Sequence, residues 1–109
     1  MTQPTKSRRQ KLEEFLAAHP NDAFAQYGLA IELAKEDNHA ATIGQFRALL
    51  GTHPDYVTGY FQFGQFLARI GSTAAARKVL TDGIAVASRT GDAHARDEIS
   101  AALAALPAS

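Results

Sequence analysis

The chain of 109 residues contains no cysteine, no tryptophan, one methionine and four prolines. Without cysteine there can be no disulfide framework, no thiolate zinc site and no cysteine nucleophile. The same absence suits a reducing compartment. An excess of charge of one sign is also missing: 11 Lys and Arg face 11 Asp and Glu, so no net field draws the chain toward nucleic acid or an anionic membrane. No apolar run approaches the roughly 18 residues that a membrane-spanning helix needs. Lys6, Arg8, Arg9 and Lys11 could open a secretory leader, but Leu12-Glu13-Glu14-Phe15-Leu16 puts two acids where its apolar stretch should be. The expectation is one soluble, cytoplasmic domain spanning 1–109, without a membrane segment. Its 46% hydrophobic and 20% charged residues are ordinary for a globular core. Strands are not expected, because period-two alternation is absent and alanine is plentiful where β-branched residues would stand.

What is present is a repeat. His19-Pro20 and His53-Pro54 lie 34 residues apart, and their surroundings match at the same offset. Phe15-Leu16 falls on Leu49-Leu50, Asn21 on Asp55, Tyr27 on Phe61, and Leu29-Ala30 on Phe63-Gly64. Leu33-Ala34-Lys35 falls on Leu67-Ala68-Arg69. Class matches at so many positions, all at one offset, mark an internal repeat.

Within each period the apolar residues recur at steps of three and four, the helical spacing. A helix is predicted over 23–36, with Leu29, Ala30 and Leu33 on one stripe. Asn21 and Asp22 are its N-cap candidates, having side-chain oxygens that can accept from first-turn amides. Asp37-Asn38 ends it. A second helix over 39–50 turns Ile43, Phe46, Leu49 and Leu50 inward, and 51–55 forms a turn. A third covers 56–70 and stops at Gly71, which tolerates left-handed backbone. A fourth starts near Thr73 and carries Ala76, Val79, Leu80, Ile84 and Val86. After Thr90-Gly91-Asp92, a last helix runs over 93–106 until Pro107. Ahead of the repeats, 7–18 reads as a helix with Leu12, Phe15 and Leu16 spaced as in the second helix of each pair. The third helix is apolar nearly all round, which assigns Phe63 and Phe66 to the core.

These residues resemble the tetratricopeptide repeat. Its motif sets a large aromatic, then leucine-glycine three and four residues on, a tyrosine three further, and alanine, phenylalanine and proline in the second helix and turn. The second period supplies Tyr60, Phe63, Gly64, Leu67, Ala76 and Leu80; the first supplies Gln26, Leu29, Ala30, Leu33, Thr42, Phe46 and Pro54. Ala30, Gly64 and Ala76 are small where paired helices touch most closely. Gln26 departs from the motif's aromatic and Thr42 from its alanine. Ser88 stands where Pro20 and Pro54 stand in their periods, so the helix before it is expected to run on to Ser88 or Arg89. The resemblance implies an all-α, right-handed superhelical stack of antiparallel helix pairs. It has a half-repeat helix at 7–18, repeats at 21–54 and 55–88, and a capping helix at 92–106.

It also implies a function: an adaptor or scaffold module that holds a protein or peptide partner in a concave groove lined by the first helix of each pair. The groove positions are Phe24, Tyr27, Ile31, Ala34 and Lys35 in one repeat, and Thr58, Phe61, Gln65, Ala68 and Arg69 in the next. A peptide with an apolar anchor and an acidic group suits this surface, with Lys35 and Arg69 as cations at one edge. Equally, Tyr27 and Phe61 could serve packing alone, and Lys35 and Arg69 could be solvated surface charges. The carboxylate clamp of chaperone-binding family members is absent, since its positions fall on Tyr27 and Ile31. Self-association into a homo-oligomer is the alternative role, because two repeats leave short, open ends.

The remaining candidates reduce to structure. His19 and His53 sit at equivalent turns before proline and have no cysteine or clustered carboxylates with them, so no metal is expected. His39 and His94, one beginning a helix and the other lying on one, have no partner at metal or catalytic spacing. Glu13-Glu14 and Asp97-Glu98 are adjacent on helices and point to different sides. No nucleophile elbow, phosphate-cradling loop or metalloprotease helix occurs. The expectation is no enzyme, no cofactor and no nucleic-acid partner; the four cations of 6–11 would give only a salt-sensitive attraction.

Overall fold

Six helices make up the computed structural model, which describes residues 5–108: α1 (Arg8–Ala18), α2 (Ala23–Ala34), α3 (His39–Thr52), α4 (Val57–Arg69), α5 (Thr73–Thr90) and α6 (Ala93–Ala104). No strand occurs among the described residues. Four of the starts are set by side chains. Ser7 and Gln10 form a reciprocal capping box, the Ser7 Oγ accepting from the Gln10 amide at 3.1 Å and the Ser7 amide donating to Gln10 Oε1 at 2.9 Å. Of the two candidates before α2, Asp22 is the cap and accepts from the Ala25 amide at 2.8 Å. Asn38 does the same for Ala41 in α3, and Asp92 for Ala95 in α6.

The ends follow backbone preference. Asp37 after α2 and Gly71 after α4 lie 34 residues apart, and both adopt left-handed backbone, at φ 57° and 84°. Behind Gly71, the Ser72 amide donates back to the Leu67 carbonyl at 2.8 Å, the hydrogen bond that closes a helix on a left-handed residue. Two ends lie beyond the sequence expectation. α3 continues through Gly51 to Thr52, where a turn was expected, since glycine weakens a helix without stopping it. α5 reaches Thr90, because Ser88 keeps the amide that a proline would have removed.

The chain divides into two compact units, the first running to Thr52 and the second beginning at His53. In the first, α2 packs against both α1 and α3. Its buried residues include Ala25, Gln26, Gly28, Leu29, Ala30 and Leu33 from α2 and Thr42, Phe46 and Leu49 from α3. Thr42 is fully buried where the motif has alanine, and its hydroxyl is satisfied by donating to the Asn38 carbonyl at 2.8 Å. α1 contributes no buried residue. Leu12 lies over Gly28, 3.3 Å from where a Cβ would stand, and Arg8 and Arg9 pair with Glu32 and Glu36 at the far end of α2. Such exposed pairs add roughly 0–1 kcal/mol each, so Leu12 is the main tie.

In the second unit α5 packs against α4 and α6, and α4 also touches α6. Phe63, Phe66 and Leu67 meet Ala76, Leu80, Val86 and Ala87 in its core, and both phenylalanines expected there are present. Ile99 alone among the α6 residues is buried. Beyond α6, Arg77 Nη2 donates to the Pro107 carbonyl at 3.1 Å and ties the chain end back to α5. Among the described residues no helix is long and apolar enough to cross a membrane.

Candidate partner-binding surface

The first helix of each pair is oriented by a hydrogen bond to the turn before it. Tyr60 Oη donates to the Pro54 carbonyl at 2.7 Å, and Gln26 Nε2 donates to the Pro20 carbonyl at 2.8 Å. Both residues stand six positions after their acceptor, so the glutamine reproduces the phenol's hydrogen bond without its bulk. Gln26 is 6% exposed, and its Oε1 has no protein partner. Burial, reinforced by Asp82 and Asp55 and opposed by Arg89, raises the Tyr60 phenol above its ordinary value of 10.0. The folded state thus holds this proton more tightly than the unfolded chain. The stability this contributes is complete below about pH 10 and is lost as pH rises through the raised value. Urea midpoints are expected to fall above pH 10 in the native chain and to fall less steeply in Tyr60→Phe. Equal slopes would contradict the assignment.

Two cavities open between α4 and α6 in the second unit. One, of about 220 Å³, is lined by Val57, Thr58, Phe61 and Gln62 of α4 and by Ala95 and Glu98 of α6. The other, of about 400 Å³, lies against Gln65, Ala68 and Arg69 on one side and Ala102, Ala105, Leu106 and Pro107 on the other. All five groove residues expected in this unit therefore line a cavity: Thr58 and Phe61 the smaller, Gln65, Ala68 and Arg69 the larger. Arg69 lies 5.4 Å from the Phe66 ring centroid and forms no ion pair among the described residues. Its charge is held beside an apolar wall.

The first unit arranges its candidates differently. Phe24 is 68% exposed and lines a cavity of about 380 Å³ with Arg8, Lys11, Leu12, Phe15, Asp22 and Ala25. Tyr27 and Ile31 are half-buried on α2, apart from that cavity. Lys35 pairs with Glu32 at 3.3 Å, and Glu32 also holds Arg8 at 3.0 Å, so the charge of Lys35 is partly compensated. The α1 residues of the Phe24 cavity are absent from the sequence-based groove. The signal for them was there in Leu12 and Phe15, which carry the inward-facing spacing of the second helix of a pair.

Two of the histidines have local partners. The His19 ring lies 4.6 Å from that of Phe15. His94 does have a partner, contrary to the expectation: Nε2 lies 3.1 Å from Glu98, four residues on, in an exposed pair. Among the described residues no group of three or more His, Asp or Glu is placed to hold a metal ion.

No family model and no curated protein sequence matches the chain. Similarity is found among solved structures. Protein BPP2914 from Bordetella parapertussis, solved in solution, is 25% identical over 94% of this chain and 89% of its own, with a TM-score of 0.80. A tetratricopeptide repeat domain protein from Salinibacter ruber is 34% identical, and its solution structure matches 78% of this chain and 86% of its own at a TM-score of 0.73. The chain belongs to the tetratricopeptide repeat family. A crystal structure of a Salinibacter ruber tetratricopeptide repeat domain protein, also 34% identical, aligns with 76% of this chain and 93% of its own at a TM-score of 0.68. Membership explains why the small residues sit where they do. In this repeat protein a Cβ on Gly64 would stand 2.5 Å from Leu80 Cγ, and one on Gly83 would stand 2.7 Å from Tyr60 Cβ. Tetratricopeptide repeats generally mediate contacts between proteins, and the α4–α6 surface is one place where this one offers open, partly apolar space.

Proposed function

We propose that the protein is an interaction module, an adaptor or scaffold, that holds a peptide segment of a partner on the first helices of its repeats. The observation carrying this reading is the α4–α6 surface, where five residues expected at groove positions line two cavities. The larger cavity has the volume for an apolar side chain between Ala68 and Ala102, with the Arg69 guanidinium at its wall. A guanidinium there favours a carboxylate, which it can bind with two parallel hydrogen bonds. The ligand class is therefore a short peptide with an apolar anchor and an acidic group close to it.

Affinity capture from the native cell extract, with Phe61→Ala/Arg69→Glu as the paired variant, tests this. Both side chains lie outside the buried core, so the fold is retained, as circular dichroism would verify. Partner yield should drop at least tenfold, since a lost anchor and a reversed charge at a hot spot each cost about 2 kcal/mol or more. Undiminished capture by the folded variant removes this surface from the reading.

A further inference from the structure

The α1–α2 cavity exposes the face that, elsewhere in the repeat, a helix covers. Counting back by the 34-residue offset, Ala76, Leu80 and Gly83 of α5 correspond to Thr42, Phe46 and Leu49 of α3 and to Arg8, Leu12 and Phe15 of α1. In α5 and α3 all six residues are buried, and the helix that precedes each of them in the chain packs on it: α4 on α5, and α2 on α3. The contacts in the second unit are direct. Leu80 lies against Gly64 of α4, and Gly83 against Tyr60 of α4 and Ile99 of α6. Among the described residues no helix other than α2 packs substantially on α1. Leu12 is only half-buried, and Phe15 is 45% exposed. Across the cavity stands Phe24, and these two phenylalanines are the exposed large hydrophobic residues among the described residues.

The face differs from its counterpart in charge, and the difference specifies the occupant. Where α5 offers Ala76 and Val79, α1 offers Arg8 and Lys11. Lys11 has no ion pair among the described residues, and Arg8 is held at one side by Glu32. Only a short connector separates the end of α4 at Arg69 from the start of α5 at Thr73. The C-terminal turns of the covering helix therefore lie over the first turns of α5. A helix seated the same way on α1 brings its last turns over Arg8 and Lys11. There its unpaired carbonyls and any acidic side chains meet two cations.

We propose that the α1–α2 cavity docks an amphipathic helix of a partner protein, apolar along one stripe and acidic in its last turns. Its stripe covers Leu12, Phe15 and Phe24, and its acids face Lys11 and Arg8. A second copy of this chain suits the face less well, because two such faces in one isologous contact would bring two sets of Arg8 and Lys11 together. In the second unit, α6 presents mainly alanine and charged residues around a single buried Ile99, as a polar cap does. The docking is independent of the α4–α6 surface, which lies in the other unit.

Fluorescence anisotropy with two labelled synthetic peptides tests the proposal on the full chain. Both copy the α4 sequence from 57 to 70 with Tyr60→Ala, since Phe15 fills the space that Gly83 leaves for Tyr60. One carries glutamate at positions 68 and 69, the other lysine. The acidic peptide should bind at least tenfold more tightly than the basic one at low salt. Lys11→Glu, an exposed change, should narrow or invert that ratio. Phe24→Glu should weaken the acidic peptide at least tenfold, while Phe61→Ala/Arg69→Glu leaves it unchanged and so separates this site from the other. Equal affinity of the two peptides, absence of binding, or indifference to Phe24→Glu overturns the proposal. So does a dimer in sedimentation that Phe24→Glu dissolves, which would make the occupant a second copy.

Discussion

Gly64→Val is expected to destabilise the second unit by about 2 kcal/mol, although valine is the better helix former. A side chain there meets Leu80, whose Cγ would be 2.5 Å from the new Cβ and whose Cδ2 would be closer still. Leu80 is 1% exposed and packed on several sides, so it cannot swing aside without displacing the core. Overpacking of this kind costs about 1–3 kcal/mol, against the few tenths gained from helix propensity. Gly44→Ala is the matched control. Gly44 lies inside α3 with nothing within 4 Å of its Cβ position, so alanine there should stabilise by up to about 1 kcal/mol. Urea unfolding followed at 222 nm would give opposite signs. A stabilised Gly64→Val would mean that the α4–α5 contact is looser than the structure has it.

Ile99→Ala should have an effect of similar or greater size, about 2–5 kcal/mol by the range for large-to-small core changes. Ile99 is fully buried, and it is the single residue by which α6 enters the core. Its Cδ1 lies 3.3 Å from where a Cβ on Gly83 would stand, the same position that Tyr60 approaches. Losing it removes the apolar contact that holds α6, while its Asp92 cap and surface charges remain. Hydrogen exchange should show lost protection concentrated in 93–104, with α4 and α5 less affected. Because α6 forms one wall of both α4–α6 cavities, binding at that surface should weaken in the same variant. Uniform loss of protection over the whole second unit would show that α6 is not a separable element.

The two effects illustrate how far the sequence could be read. The 34-residue offset placed Gly64 against a close helix contact, and the structure names that contact as Leu80. Periodicity gave six helices and the core roles of Phe63 and Phe66. Helix ends were less legible at Gly51 and Ser88, where a turn-forming residue or the lack of one had to be weighed against continued packing. Gln26 looked like a loss of the motif's aromatic. Only the coordinates show it donating to Pro20 as Tyr60 does to Pro54.

The surface was read in part. Thr58, Phe61, Gln65 and Arg69 were named from their positions, yet nothing in sequence told which pairs share a cavity or that 102–107 would form the opposite wall. Phe24 was grouped with Tyr27 by position, whereas its neighbours are Leu12 and Phe15 of α1.

From sequence alone come the all-helical class, the repeat, its caps and turns, and the tetratricopeptide resemblance. Each of these is written in residues close along the chain or at one fixed spacing. Tertiary structure decided which faces are left uncovered and which charges border them. Exposure depends on what packs from elsewhere, and no local pattern records a neighbour that is missing.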